Sequence, residues 1–176
     1  MNPYIRILVL LCTALSAQAA LACSIVYGKD WAYAVEPPPG WSSACHDSAA
    51  PGTTITLWPS SSSPQAADAL IYVTVSTKGQ QTLQEFASDA LKRFKDAAPA
   101  ARSRAFTDKT PELKFNVTWI ALSGAPPGTR EELVAYIEGP TAFFIAVVSA
   151  ESADVLAKRR ADFIAFVSKF IPMERR

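Results

Sequence analysis

The chain has 176 residues, 17 cations against 16 anions, and 49% hydrophobic residues. That balance excludes the strongly basic footprint of a nucleic-acid binder and the low hydrophobicity of a disordered chain. Its four Trp and nine Phe supply ample core material.

After a start bearing one cation, Arg6, the run Ile7–Leu15 is apolar and gives way to small residues, SAQAALAC, at Ser16 to Cys23. This is the layout of a secretory signal peptide, and its apolar core is shorter than the roughly 20 residues that cross a bilayer. The expectation is a cleaved leader over residues 1–22, a mature domain over 23–176, no transmembrane segment and a periplasmic or secreted location. Cleavage before Ala20 fits as well as cleavage before Cys23. The second frame raises a lipid anchor on Cys23, but Ala20 stands where a lipobox has a large aliphatic residue. Loss of Arg6 lowers 17 cations to 16 against 16 anions, so the mature chain is formally neutral. Loss of Cys12 leaves Cys23 and Cys45, an even pair in an oxidising compartment, and a disulfide between them is expected. About 150 mature residues make one domain with one core.

In chain order, WAYAV at Trp31 to Val35 alternates large and small residues and reads as a strand running into the rigid turn PPPGW. The β-branched and aromatic runs Thr53–Trp58 and Ala69–Ser76 read as two strands of a hairpin whose long arm is the loop PSSSSPQAAD. The period then changes from 2 to 3.6. Thr82 and Glu85 form a capping-box pattern, and Leu83, Phe86, Ala87, Ala90, Leu91 and Phe94 share one helical face. AAPAARSR ends that helix. In Leu113–Leu122 the apolar residues Leu113, Phe115, Val117 and Trp119 alternate with Lys114, Asn116 and Thr118, as in a strand with one buried face. REELVAYIE and TAFFIAVVS flank Gly139 and Pro140 as an antiparallel hairpin. The continuous apolar run Ala142–Val148 marks a central strand covered on both faces. A helix from about Ser152 to Phe170 turns Leu156, Phe163, Ile164, Val167, Phe170 and Ile171 inward and ends at Pro172. Disorder is expected in SSSSP and the terminal MERR. The order implies an α+β single domain, an antiparallel sheet packed by two main helices.

This succession resembles the PsbP-like fold, shared by the photosystem II extrinsic protein PsbP, DcrB-type bacterial envelope proteins and a eukaryotic Ran-binding protein. The residues that carry the resemblance are Pro39, Gly40 and Trp41 after the first strand, the helix opening TLQEF, the hairpin AYIEGPTAFFIAVV, and the aromatic closing helix with Phe163, Phe166 and Phe170. It implies a non-catalytic accessory or binding protein whose partner is another envelope protein. The Cys23 and Cys45 pair and the Ser-rich connector depart from the group.

The chain's only histidine, His46, stands between Cys45 and Asp47. A sulfur spent on a disulfide is no thiolate, and one imidazole with one neighbouring carboxylate falls short of a zinc donor set. No G-x-S-x-G elbow or phosphate-binding glycine loop occurs. No catalytic residue, metal or cofactor is therefore expected. Two further readings stay open: carboxylate chemistry through Glu36 and Glu138, and a small-ligand groove lined by Trp41 and Trp58 with His46 nearby. Sequence pattern favours both indoles as core residues at the sheet's edge.

Overall fold

The computed structural model describes residues 25–45, 49–125 and 130–174. The expected leader with its cleavage frames, Cys23, His46, Asp47 and the last two residues lie outside the described part. Within it the chain forms β1 (Ile25–Tyr27), β2 (Trp31–Ala34), β3 (Trp41–Cys45), β4 (Ile55–Pro59), β5 (Ala69–Thr77), α1 (Leu83–Ala97), β6 (Arg102–Ala105), β7 (Val117–Ala125), β8 (Arg130–Glu138), β9 (Ala142–Ala150), α2 (Ala153–Ser168) and β10 (Ile171–Glu174). Seven strands make an antiparallel sheet in the order β3-β4-β5-β9-β8-β7-β6. The other three make a small antiparallel sheet, β1-β2-β10.

Strand β9 occupies the centre of the large sheet, and its continuous apolar run is what a strand covered on both sides requires. Neighbouring residues point to opposite faces. Phe143 and Val147 pack beneath α1 with Leu83, Phe86, Ile120, Val134 and Tyr136. Phe144, Ala146 and Val148 enter the larger core on the other face, against Phe163, Phe166 and Phe170 from the α2 end of the chain. The Gly139–Pro140 turn sets this register: Gly139 N donates to Ala142 O at 2.9 Å, and a Cβ on Gly139 would stand 2.4 Å from the Phe144 ring.

Helix α1 begins where the capping box places it. Thr82 Oγ1 accepts from Glu85 N at 3.3 Å, and Glu85 Oε2 accepts from Thr82 N at 2.8 Å. Phe86 then stacks on Phe143 with centroids 4.4 Å apart. Helix α2 starts at Ser152, whose hydroxyl accepts from Val155 N.

The α+β class, the two helices and the central strand agree with the sequence reading. Four short strands, β1, β3, β6 and β10, were not legible in it, and the strand expected over Leu113–Leu122 runs from Val117 to Ala125. Leu113 and Phe115 precede it and still pack on the large core. The inward placement of Ile171 is corrected. Helix α2 stops at Ser168, with Lys169 N and Phe170 N closing on Phe166 O and Val167 O. Ile171 then starts a strand and is exposed. The terminal MERR is likewise corrected in part, since Met173 and Glu174 pair with β2.

Truncating the side chain that joins both layers measures this packing. Phe144→Ala removes a fully buried ring that contacts Trp31, Tyr33 and Phe170. Denaturant unfolding is expected to show a loss of about 3–5 kcal/mol; a loss below about 1 kcal/mol contradicts the layered core.

Candidate interaction surface

The small sheet is two-faced, and parity decides what each face carries. Its inner face holds Val26 and Tyr33, both fully buried, with Tyr33 stacked on Phe170 at 4.8 Å and Phe144 edge-on at 5.4 Å. The Tyr33 hydroxyl is paired with Thr54 Oγ1 at 2.6 Å, so the ring is anchored to the large sheet at its polar end also. Burial drives the Tyr33 phenol well above its ordinary pKa.

The outer face carries the other parity. Ile25 and Ile171 flank Ala34 in one row, and Tyr27 and Met173 flank Ala32 in the next. Ile25, Tyr27 and Ile171 are 58, 54 and 56% exposed, and they are the large hydrophobics left exposed among the described residues. All three fall on this one face. Between them the two alanines keep the centre of the sheet low. The β1–β2 hairpin that lifts Tyr27 into place depends on Gly28, where any Cβ would meet the Trp31 indole at 2.3 Å.

Beside this face lies a groove of about 650 Å³ lined by Glu36, Lys114, Phe115, Lys169, Phe170 and Ile171. Ile171 belongs to both, so apolar face and groove are continuous. The Lys169–Glu36 ion pair, N to O 2.6 Å, stands on the rim. Apolar centre and charged rim together have the anatomy of a protein interface.

The other candidates land elsewhere. Trp41 is buried on the α2 side of the large sheet, its Nε1 donating to Asp162 Oδ2 at 3.0 Å with the Arg159 guanidinium over its ring. Trp58 pairs with Ser42, one residue on from Trp41, and therefore stands on the opposite face. The two indoles do not line a common groove, and His46 lies outside the described residues. Cys45 ends β3, half-buried, while Cys23 lies outside the description. Glu36 is held by Lys169, and Glu138 by Lys78 and Asn116, both at 2.7 Å. Those hydrogen bonds, Asn116 first, hold the Glu138 carboxyl below its ordinary range.

One buried acid escaped the sequence reading. Glu132 of β8 lies on the α1 side of the sheet, 8% exposed, with the Tyr72 hydroxyl 3.5 Å away. Arg130 beside it is committed to Ser149, through Nε to Oγ at 2.9 Å and NH2 to the carbonyl at 3.0 Å. Burial pushes the Glu132 carboxyl upward, against the opposing pull of Ser149, Tyr72 and Arg130. In the run REELV it stands next to Glu131 and reads as a solvent-facing acid, which is why sequence pattern hid it.

Comparison with known proteins places this geometry in a known fold. The chain superposes on the solution structure of cyanobacterial PsbP from Synechocystis sp. PCC 6803 with a TM-score of 0.50 and 16% identity, over 90% of this chain and 98% of that one. The chain thus has the PsbP-like fold. No family model matches it, and no curated protein matches by sequence. The likeness to DcrB-type proteins rests on the sequence features alone. Among the described residues no helix is long and apolar enough to cross a membrane.

The Glu132 environment makes a signed prediction. Its folded-state pKa is raised, so its contribution to stability is complete below the ordinary glutamate value of about 4.3 and declines as pH climbs through the folded value. Glu132→Gln is therefore expected to be more stable than wild type at pH 7, with the difference vanishing near pH 4 in urea titrations. A variant less stable than wild type at pH 7 contradicts a desolvation-dominated site.

Proposed function

We propose that this protein is an exported, non-catalytic accessory factor that holds an envelope protein against the outer face of its small sheet. The observation that carries this reading is the collection of Ile25, Tyr27 and Ile171 on one face, contiguous with a groove. Scattered single hydrophobics on a surface are ordinary, whereas a contiguous apolar patch marks an interaction site. The PsbP-like fold supports an accessory role by analogy alone, through the resemblance carried by the sequence features.

The same reading includes export through the leader 1–22 and a Cys23–Cys45 disulfide. Its support is the leader's layout and the even pair of cysteines that remains once Cys12 departs. Such a link would tie the start of β1 to the end of β3 and limit how far the apolar face departs from the large sheet. A carboxylate enzyme is the weaker reading because Glu36 and Glu138 are each neutralised by a lysine and belong to separate ion pairs. The groove of about 650 Å³ favours a small-ligand role as the second reading.

Crosslinked affinity capture from intact envelopes tests the proposal when wild type is run beside Ile25→Glu/Ile171→Glu. Wild type is expected to recover one stoichiometric protein. The double variant, with an unchanged melting temperature, is expected to lose it, while the control Lys92→Glu on the exposed face of α1 keeps it. Equal recovery by wild type and double variant refutes docking on this face, and an empty capture in all three moves the assignment to a small ligand.

A further inference from the structure

The far edge of the large sheet holds a second, chemically different surface. Among the described residues strand β6 ends the sheet, pairs with β7 alone on its inner side, and is largely exposed along its length. Phe106 N donates to Trp119 O at 3.4 Å, continuing the register Ala105↔Ile120. In an antiparallel ladder, residues turn their backbone groups alternately toward one neighbour and the other. Arg104 and Arg102 therefore face β7 with their N–H and C=O, and Ser103 and Ala105 turn theirs outward to the open edge.

Side chains follow the complementary rule. Arg102 and Arg104 project from the α2 side of the sheet, two residues apart, into a groove of about 270 Å³ that also touches Glu131 and Leu156. Both are exposed, and neither makes an ion pair among the described residues. Arg160 of α2 lines the adjoining pocket that shares Arg104, and its own charge is taken up by Asp108.

We propose that β6 receives an extended acidic peptide segment of a partner protein, added antiparallel as an eighth strand. The backbone of Ser103 and Ala105 supplies the ladder. An acid-x-acid pair on the incoming strand then lies opposite Arg102 and Arg104, at the positions between the new hydrogen-bonded pairs where side chains approach most closely. Glu131 does not oppose this. It stands two strands farther in, on β8, so at about 4.8 Å per strand an acid on the added strand is about 14 Å from it. A second copy of this chain is the wrong occupant, because β6 paired with itself about Ser103 lays Arg102 against Arg104 twice. This surface is separate from the small sheet, so the two assignments stand or fall independently.

A fluorescein-labelled heptapeptide alternating Glu and Thr, with a Lys-for-Glu control, tests the proposal by anisotropy on the full chain. Saturable binding of the Glu peptide alone is expected, weakened about tenfold or more by Arg102→Glu/Arg104→Glu. Ser103→Pro is expected to abolish binding while leaving the fold intact, since a proline is tolerated where an edge strand's N–H faces solvent. Amide exchange at Ser103 and Ala105 in the unmutated chain is expected to slow on binding, with Arg104 unchanged, which keeps the test valid if the proline variant misfolds. No binding, equal binding of the Lys peptide, or binding without slowed exchange at Ser103 and Ala105 overturns the proposal.

Discussion

The ring of Tyr33 lying flat on Phe170, with Phe144 edge-on to Tyr33 and tilted against Phe170, decides how the rest of the molecule is arranged. Three chain segments far apart in sequence meet there: the first hairpin, the central strand of the large sheet and the end of the closing helix. Stacked and edge-to-face aromatic pairs are each worth about 0.5–1.5 kcal/mol beyond their buried area. Because Tyr33 and Val26 must point inward to reach this cluster, the period of 2 leaves Ile25, Tyr27, Ala32 and Ala34 no choice but to point outward. The exposed apolar face is thus a consequence of the core contact, and its position cannot drift without unstacking Tyr33.

Strand β9 imposes the second constraint. Its adjacent Phe143 and Phe144 serve opposite faces, so α1 and α2 lie on opposite sides of one sheet. With the faces covered near the centre, what is left for recognition lies at the margins: the outer face of the small sheet at one place and the β6 edge at another. The two surfaces differ in chemistry, one apolar with a charged rim, the other an open backbone edge with two guanidinium groups that make no ion pair among the described residues. For the accessory role proposed above, such a difference means that neither surface competes for the other's ligand.

How much of this was legible in the sequence follows from element length and from competing signals. Helix α1 is readable because a capping box at Thr82 and Glu85 opens it and six apolar residues, Leu83 to Phe94, keep one period for about three turns. The hairpin around Gly139 was readable because the turn residues sit between two nine-residue runs. Strand β1, with three residues, is too short to show a period, and Pro172 and Glu174 break the strand pattern of β10. Ile171 also extends the helical spacing of Val167 and Phe170, which favours an inward position. The local signal that outranks that spacing is Pro172, which disfavours helical backbone at the residue before it. Ser42 and Ser43 hid β3, and Arg102 and Arg104 hid β6, since edge strands carry the polar residues that strand patterns exclude. The candidate surface was missed for the same reason: it is built from the shortest elements of the fold.

Hydroxyl-radical footprinting of the free protein, resolved to single residues, tests most directly whether the small sheet divides into a seated face and a presented one. Tyr27, Ile171 and Met173 are expected to react rapidly, and Tyr33 and Phe170, only one to six residues away in sequence, to stay protected until global unfolding. Protection of Tyr27 and Ile171 equal to that of Tyr33 in the isolated chain would contradict the account, because the proposed docking face would then already be covered by the protein itself.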